Sequence, residues 1–269
     1  MMGIKRLIFY LSTLSIALSF GLITLSAMPT QAQVRLEKNM TVSSDVELPL
    51  RIQINFETKE PDEGEPEQTV GAGSRNAEKC TDPQDYKALT LLVPANTVAL
   101  TVAERPMFFV YFPKTVATQA ELSLRDEQGN GIYQTIFDLG ETPGIQGIQL
   151  PITAPALEVG RRYQWSIAMI CNADDRLRDQ VADAWIQRID LPASLSQQLQ
   201  NAAIAEQASL YAQNGIWYDT ISTLAEFISQ SENSTVATNA WQQLLSSETV
   251  QLDQFLEIRW RIQEQHGEN

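Results

Sequence analysis

The chain has 269 residues, 43% of them apolar, with 33 acidic against 19 basic side chains, two cysteines and a single histidine. That apolar content supplies one large core or two modest ones, while a formal charge of -14 repels polyanions and argues against nucleic acid as a partner. The only imidazole, His266, sits beside the C-terminal end, where chains are usually solvated, so Ser-His-Asp, Cys-His and histidine-rich metal chemistry have little to work with.

Residues 1–32 have the three-part layout of a secretory signal peptide: Lys5 and Arg6, an uncharged apolar run from Leu7 to Ala27, and a polar stretch ending in Thr30-Gln31-Ala32. Cleavage there leaves Gln33 as the mature N-terminus, and losing Lys5 and Arg6 moves the formal charge from -14 to -16. The apolar run is also long enough to remain as an uncleaved anchor. The expected location is therefore periplasmic or secreted, with a membrane-anchored form as the alternative. Cys80 and Cys171 both lie in the exported part, where an oxidising compartment makes a disulfide the default for an isolated pair.

Residues 33–73 read as an acidic, largely disordered arm, because Glu60-Pro61-Asp62-Glu63-Gly64-Glu65-Pro66-Glu67 concentrates charge and proline with no apolar residue. Within it, Leu48, Leu50, Ile52, Ile54 and Phe56 alternate with polar residues. This run is a candidate edge strand of the following domain, or an adhesive segment awaiting a partner edge.

Between Ala88 and Leu191 the dominant period is two, which predicts strands over 89–93, 98–102, 107–112, 120–126, 132–138, 148–152, 162–171 and 184–191. Turn residues fill the gaps, among them Gln128-Gly129-Asn130-Gly131 and Glu158-Val159-Gly160. Tyr163, Trp165, Ile167, Met169 and Cys171 share one parity, so one face of that strand is wholly buriable. Met107 to Phe112 is apolar on both faces, which fits either a central strand covered on both sides or an exposed adhesive strip. Short strands without helical crossovers predict an antiparallel, immunoglobulin-like β-sandwich over 74–191.

After Pro192 the period switches to 3.6, giving an α+β chain with a small helical subdomain over 192–269. Leu195, Leu199, Ala202, Ala203 and Leu210 line a first face, ended by Asn214-Gly215 as a left-handed cap. Trp217, Ile221, Leu224 and Ile228 line a second helix. Asn233 or Ser234 caps a third, carrying Ala240, Trp241, Leu244 and Leu245, and Leu252, Phe255, Leu256 and Ile262 form a final stripe.

Several strings in this order resemble a known family. They include Arg105-Pro106-Met107-Phe108-Phe109-Val110-Tyr111-Phe112-Pro113, Leu157-Glu158-Val159-Gly160-x-x-Tyr163-x-Trp165, Trp185-Ile186-x-Arg188 and Asn214-Gly215-Ile216-Trp217-Tyr218-Asp219. The stretch from Gly71 to Leu245 resembles the cyanobacterial domain-of-unknown-function 928 family. The resemblance implies an exported protein of unknown activity and brings no catalytic residues. Asn214-Gly215-x-x-Tyr218 also resembles the turn of a tetratricopeptide hairpin, although a generic helical hairpin explains it as well.

No phosphate-cradling glycine loop and no Asp-x-Asp-x-Asp-Gly pattern occur, so no nucleotide, metal or other cofactor is expected. The charged stretch Asp174-Asp175-Arg176 to Asp183 reads as a cation site or as a solvated loop with local ion pairs. Trp217, Tyr218 and Trp241 are the candidate binding platform for a carbohydrate or peptide. The expected function is a non-enzymatic binding or assembly module of the cell envelope, with an unknown envelope protein or polysaccharide as partner. The alternative is a carboxylate-based hydrolase acting on envelope polysaccharide.

Overall fold

A computed structural model describes residues 52–58, 80–82, 84, 87–95, 97–230, 234–258 and 260–262. The expected signal peptide over 1–32 and most of the expected acidic arm over 33–73 lie outside the described residues. Nine strands and four α-helices follow one another along the described chain. In order, they are β1 (Thr90–Leu91), β2 (Ala99–Thr101), β3 (Met107–Phe112), β4 (Gln119–Asp126), β5 (Gly131–Asp138), β6 (Gly144–Gln149), β7 (Arg162–Met169) and β8 (Gln180–Arg188). Then come α1 (Ala193–Asn201), α2 (Ile204–Gln213), α3 (Trp217–Gln230), α4 (Thr235–Leu245) and β9 (Trp260–Ile262).

The strands form two sheets, ordered β1-β3-β6-β9 and β2-β8-β7-β4-β5. The bodies of both are antiparallel as expected, but each carries a parallel edge: β2 beside β8, and β9 beside β6. The alternation in the sequence is realised most cleanly on β7, whose odd-numbered residues Tyr163, Trp165, Ile167 and Met169 are buried while their neighbours are half-buried. The two sheets meet where Phe108 of β3 stacks on Trp165 of β7, ring centroids 4.3 Å apart.

β3 is the covered central strand rather than an adhesive strip. Phe108 points toward the five-stranded sheet, whereas Phe109 packs edge-on against Trp241 of α4 and Tyr111 against Phe255. The four-stranded sheet is thus enclosed on both faces, and one continuous core runs from Trp165 through Phe108 to Leu244. Residues of α2, α3 and α4 in the C-terminal helical part join this core, whereas Leu195 and Leu199 of α1 form a smaller cluster with Ile216.

Three expectations are corrected. The first helical face is broken at Ala202 and Ala203, which lie between α1 and α2, because Ala202 is extended and its N–H turns back to Leu199. The last stripe is not a helix: Asp253–Phe255 forms a single 3-10 turn, and the chain then returns to the four-stranded sheet as β9. Finally, Ile52 to Thr58 forms no strand in either sheet; it lies extended on the helices. The predicted caps are present, with Gly215 at φ +68° and the Ser234 side chain accepting from the Ala237 N–H.

Candidate functional site

The expected disulfide is formed, Cys80 to Cys171, with Cα atoms 5.1 Å apart. It ties the strand that ends at Met169 to the segment entering the sheets. Beside it, the charged loop after Cys171 is held by ion pairs. Arg176 bridges Asp179 and Glu121, Arg178 meets Asp175 at 2.8 Å, and Asp179 also accepts from the Cys171 N–H. Among the described residues, no group of three or more His, Cys, Asp or Glu side chains is arranged to hold a metal ion.

The aromatic platform is corrected by burial. Trp217, Tyr218 and Trp241 expose 0%, 1% and 3% of their surface, so no ligand reaches their rings. The indole N–H of Trp217 donates to the Leu92 carbonyl at 2.9 Å, and the Tyr218 hydroxyl accepts from the indole N–H of Trp165 at 2.7 Å. Desolvation pushes the Tyr218 phenol well above its ordinary pKa. Trp217 and Tyr218 fasten α3 to both sheets, combining apolar burial with a satisfied polar tip.

Asp219, the next residue, completes that fastening and was not singled out from the sequence. One carboxylate oxygen accepts from the Thr101 hydroxyl at 2.8 Å and from the Val102 N–H at 3.0 Å, linking the first turn of α3 to the end of β2. Burial pushes its pKa from 3.8 up to about 6, against the lowering effect of these bonds. An acid in the first helical turn was the available signal.

The outer face of the five-stranded sheet has the opposite character. Trp185 of β8 lies beside Gln164 of β7, which lies beside Arg125 of β4, which lies beside Gly131 of β5. The adjacent row reads Asp183, Ser166, Ser123 and Gln134. On β4, β7 and β8 the residues flanking them along the strand are buried, so both rows face outward there. Same-face hydrogen bonds run from Gln164 to Asp183 at 2.9 Å and from Gln119 to Asp138 at 3.0 Å. Helix α3 meets the sheets at β2 and β3 and, through Tyr218, at the inward-facing Trp165 of β7.

At the β5 side the rows open into a shallow cleft of about 460 Å³ lined by Ser123, Leu124, Arg125, Gly129, Gly131, Ile132, Tyr133 and Gln134. The expected hairpin turn builds one wall. Asp126 accepts from the N–H groups of Gln128 and Asn130 and from the Asn130 side chain, which holds its pKa below the ordinary value. Gly129 takes φ +83°, as such a turn requires. None of the lining residues is acidic, so the cleft does not itself supply the carboxyl pair that glycoside hydrolysis uses. Sequence reasoning missed this face because Trp185 was read only as part of a strand.

No described helix is long and apolar enough to cross a membrane. No curated protein matches the chain in sequence. The family model for a Domain of Unknown Function (DUF928) matches residues 70–258, a stretch that takes in both sheets as far as β8, all four helices and every residue of the outer face. The chain therefore belongs to the DUF928 family.

Proposed function

We propose that the protein is an exported, non-enzymatic binding module of the cell envelope, which holds a polysaccharide along the outer face of its five-stranded sheet. The observation that carries this reading is the row from Trp185 through Gln164 to Arg125, running from a half-buried indole into the cleft. Across four strands the row spans about 14 Å, room for a short stretch of polymer. The part of the indole left accessible offers an apolar surface to a sugar ring. The amide, hydroxyl and guanidinium groups around it exchange hydrogen bonds with sugar hydroxyls.

Charge favours a neutral polymer, since Arg125 and Asp183 place opposite signs in neighbouring rows. A protein partner fits less well, because stable protein interfaces have an apolar centre that these rows lack. Export is supported by the Cys80–Cys171 bond, a bond typical of oxidising compartments, together with the signal-like layout of residues 1–32. The Phe108–Trp165 contact supports reading the two sheets as an immunoglobulin-like sandwich.

The test is calorimetric titration of the mature protein, purified without reductant, with solubilised envelope polysaccharide fractions. Saturable binding is expected, weakened about tenfold or more by Trp185→Ala, with the thermal unfolding of the variant close to wild type. Wild-type protein that binds none of the fractions, or a Trp185→Ala variant that binds as tightly, would remove this reading.

A further inference from the structure

The segment Ile52 to Thr58, expected as an edge strand, is instead bound like a peptide. Its backbone is read at four residues. The Gln53 carbonyl accepts from the Ser209 hydroxyl at 3.2 Å, and the Ile54 N–H donates to the Gln243 side-chain oxygen at 3.2 Å. The Phe56 carbonyl accepts from the Thr249 hydroxyl at 3.2 Å, and the Glu57 N–H donates to the Ala212 carbonyl at 3.1 Å. These partners come from α2, from α4 and from the turn after α4, so three separate pieces of the helical layer converge on one extended strand of chain.

The side chains follow the same logic. Ile54 and Phe56 are buried, with Phe56 edge-on to Trp217 at 5.1 Å, while Gln53, Asn55 and Glu57 face outward. Backbone bonds with pockets for alternate side chains are how proteins recognise extended peptides. Nothing in the sheets depends on this segment for pairing.

We propose that this groove is a peptide-binding site, that the chain's own Gln53–Glu57 fills it in cis, and that the same segment of a second copy fills it in trans, joining two copies by exchange. Residues 59–79 connect the segment to the body at Cys80, and a chain of that length reaches up to about 70 Å. That is far enough to seat the segment in a neighbouring copy without moving either body. The contacts formed are then the same ones, so exchange costs only the entropy of association. In cis the segment is present at an effective concentration of about millimolar, which keeps dilute protein monomeric and lets exchange grow as copies crowd together. The second copy is the fitting occupant because its Ile54-Asn55-Phe56 is the sequence these pockets already hold.

The experiment uses the mature chain with its native disulfide intact, so that only an introduced thiol reacts with a short bismaleimide. One population carries Gln53→Cys and the other Ser209→Cys, and the two are mixed at high concentration. A Glu127→Cys population, altered on the β4–β5 hairpin, measures random collision. The expected result is a covalent heterodimer formed in clear excess over the Glu127→Cys control, its yield falling about tenfold or more when Phe56→Ala is added to the Gln53→Cys chain. A chain carrying both Gln53→Cys and Ser209→Cys is expected to cross-link internally when dilute. Heterodimer at or below the collision level overturns exchange, as does a yield insensitive to Phe56→Ala. Absence of the internal cross-link overturns the groove itself. None of these outcomes bears on polysaccharide binding at Trp185, so the two readings fail separately.

Discussion

Trp165 and Trp185 sit on neighbouring strands of one sheet, yet they belong to opposite worlds. Trp165 pairs with Ala184 and Trp185 with Gln164, one step apart in the same ladder. That single step puts Trp165 wholly inside, stacked on Phe108 and bonded to Tyr218, and leaves Trp185 half-buried in a polar row. Residue type does not separate a core aromatic from one on the outer face; strand parity does. The inner face is closed by satisfied bonds and the outer face is open, so damage to one should destabilise the fold and damage to the other should spare it.

The sharpest challenge to that contrast is Trp217→Ala, which removes a buried ring and its bond to Leu92 and should cost about 3–5 kcal/mol in chemical denaturation. Tyr218→Phe keeps the ring but strands the Trp165 indole N–H in the core, and should cost about 1–3 kcal/mol. Acidity probes Asp219. With a native pKa of about 6 against 3.8 ordinarily, the unfolded chain ionises first as pH rises, so this group's contribution to stability is fully present below about pH 4. It is lost between there and about pH 6. Asp82 and Asp126, both lowered, act in the opposite sense, gaining as pH rises. Acidifying the solution from pH 7 to pH 4 should therefore raise the melting temperature of wild type relative to that of Asp219→Asn. A difference that does not change with pH would show that Asp219 ionises as readily in the fold as out of it. Smallest of all, Trp185→Ala should change stability by about 1 kcal/mol or less; a loss comparable to that of Trp217→Ala would erase the distinction between the faces.

Where one face of a strand is buried and the other is not, the sequence states it openly, and β4 and β7 were legible for that reason; β8 was expected over 184–191 but runs Gln180–Arg188, so its first half, Asp183 included, was missed. β6 was placed too late because it is buried on both sides and opens with glycine. A Cβ at Gly147 would meet the Met107 sulfur at 3.0 Å and the Phe109 ring at 3.1 Å, so glycine leaves room for these two β3 side chains to pack over β6. β9 has only three residues and pairs across more than a hundred positions, a contact with no local signature. The disulfide was legible from a count of thiols. The groove for Gln53–Glu57 was not, because strand-like alternation is equally what a peptide needs when a helical layer supplies alternate pockets. The outer face was visible in parity alone, but only the register that aligns Trp185 with Gln164 and Arg125 turns three scattered residues into a row.

β9 has one more implication. Ile145 to Gly147 gains its second neighbour only when Trp260 to Ile262 arrive, so one side of β6 stays without a partner until the chain has been made through Ile262. The edge of the four-stranded sheet therefore closes last, after both cysteines and all four helices are already available to fold.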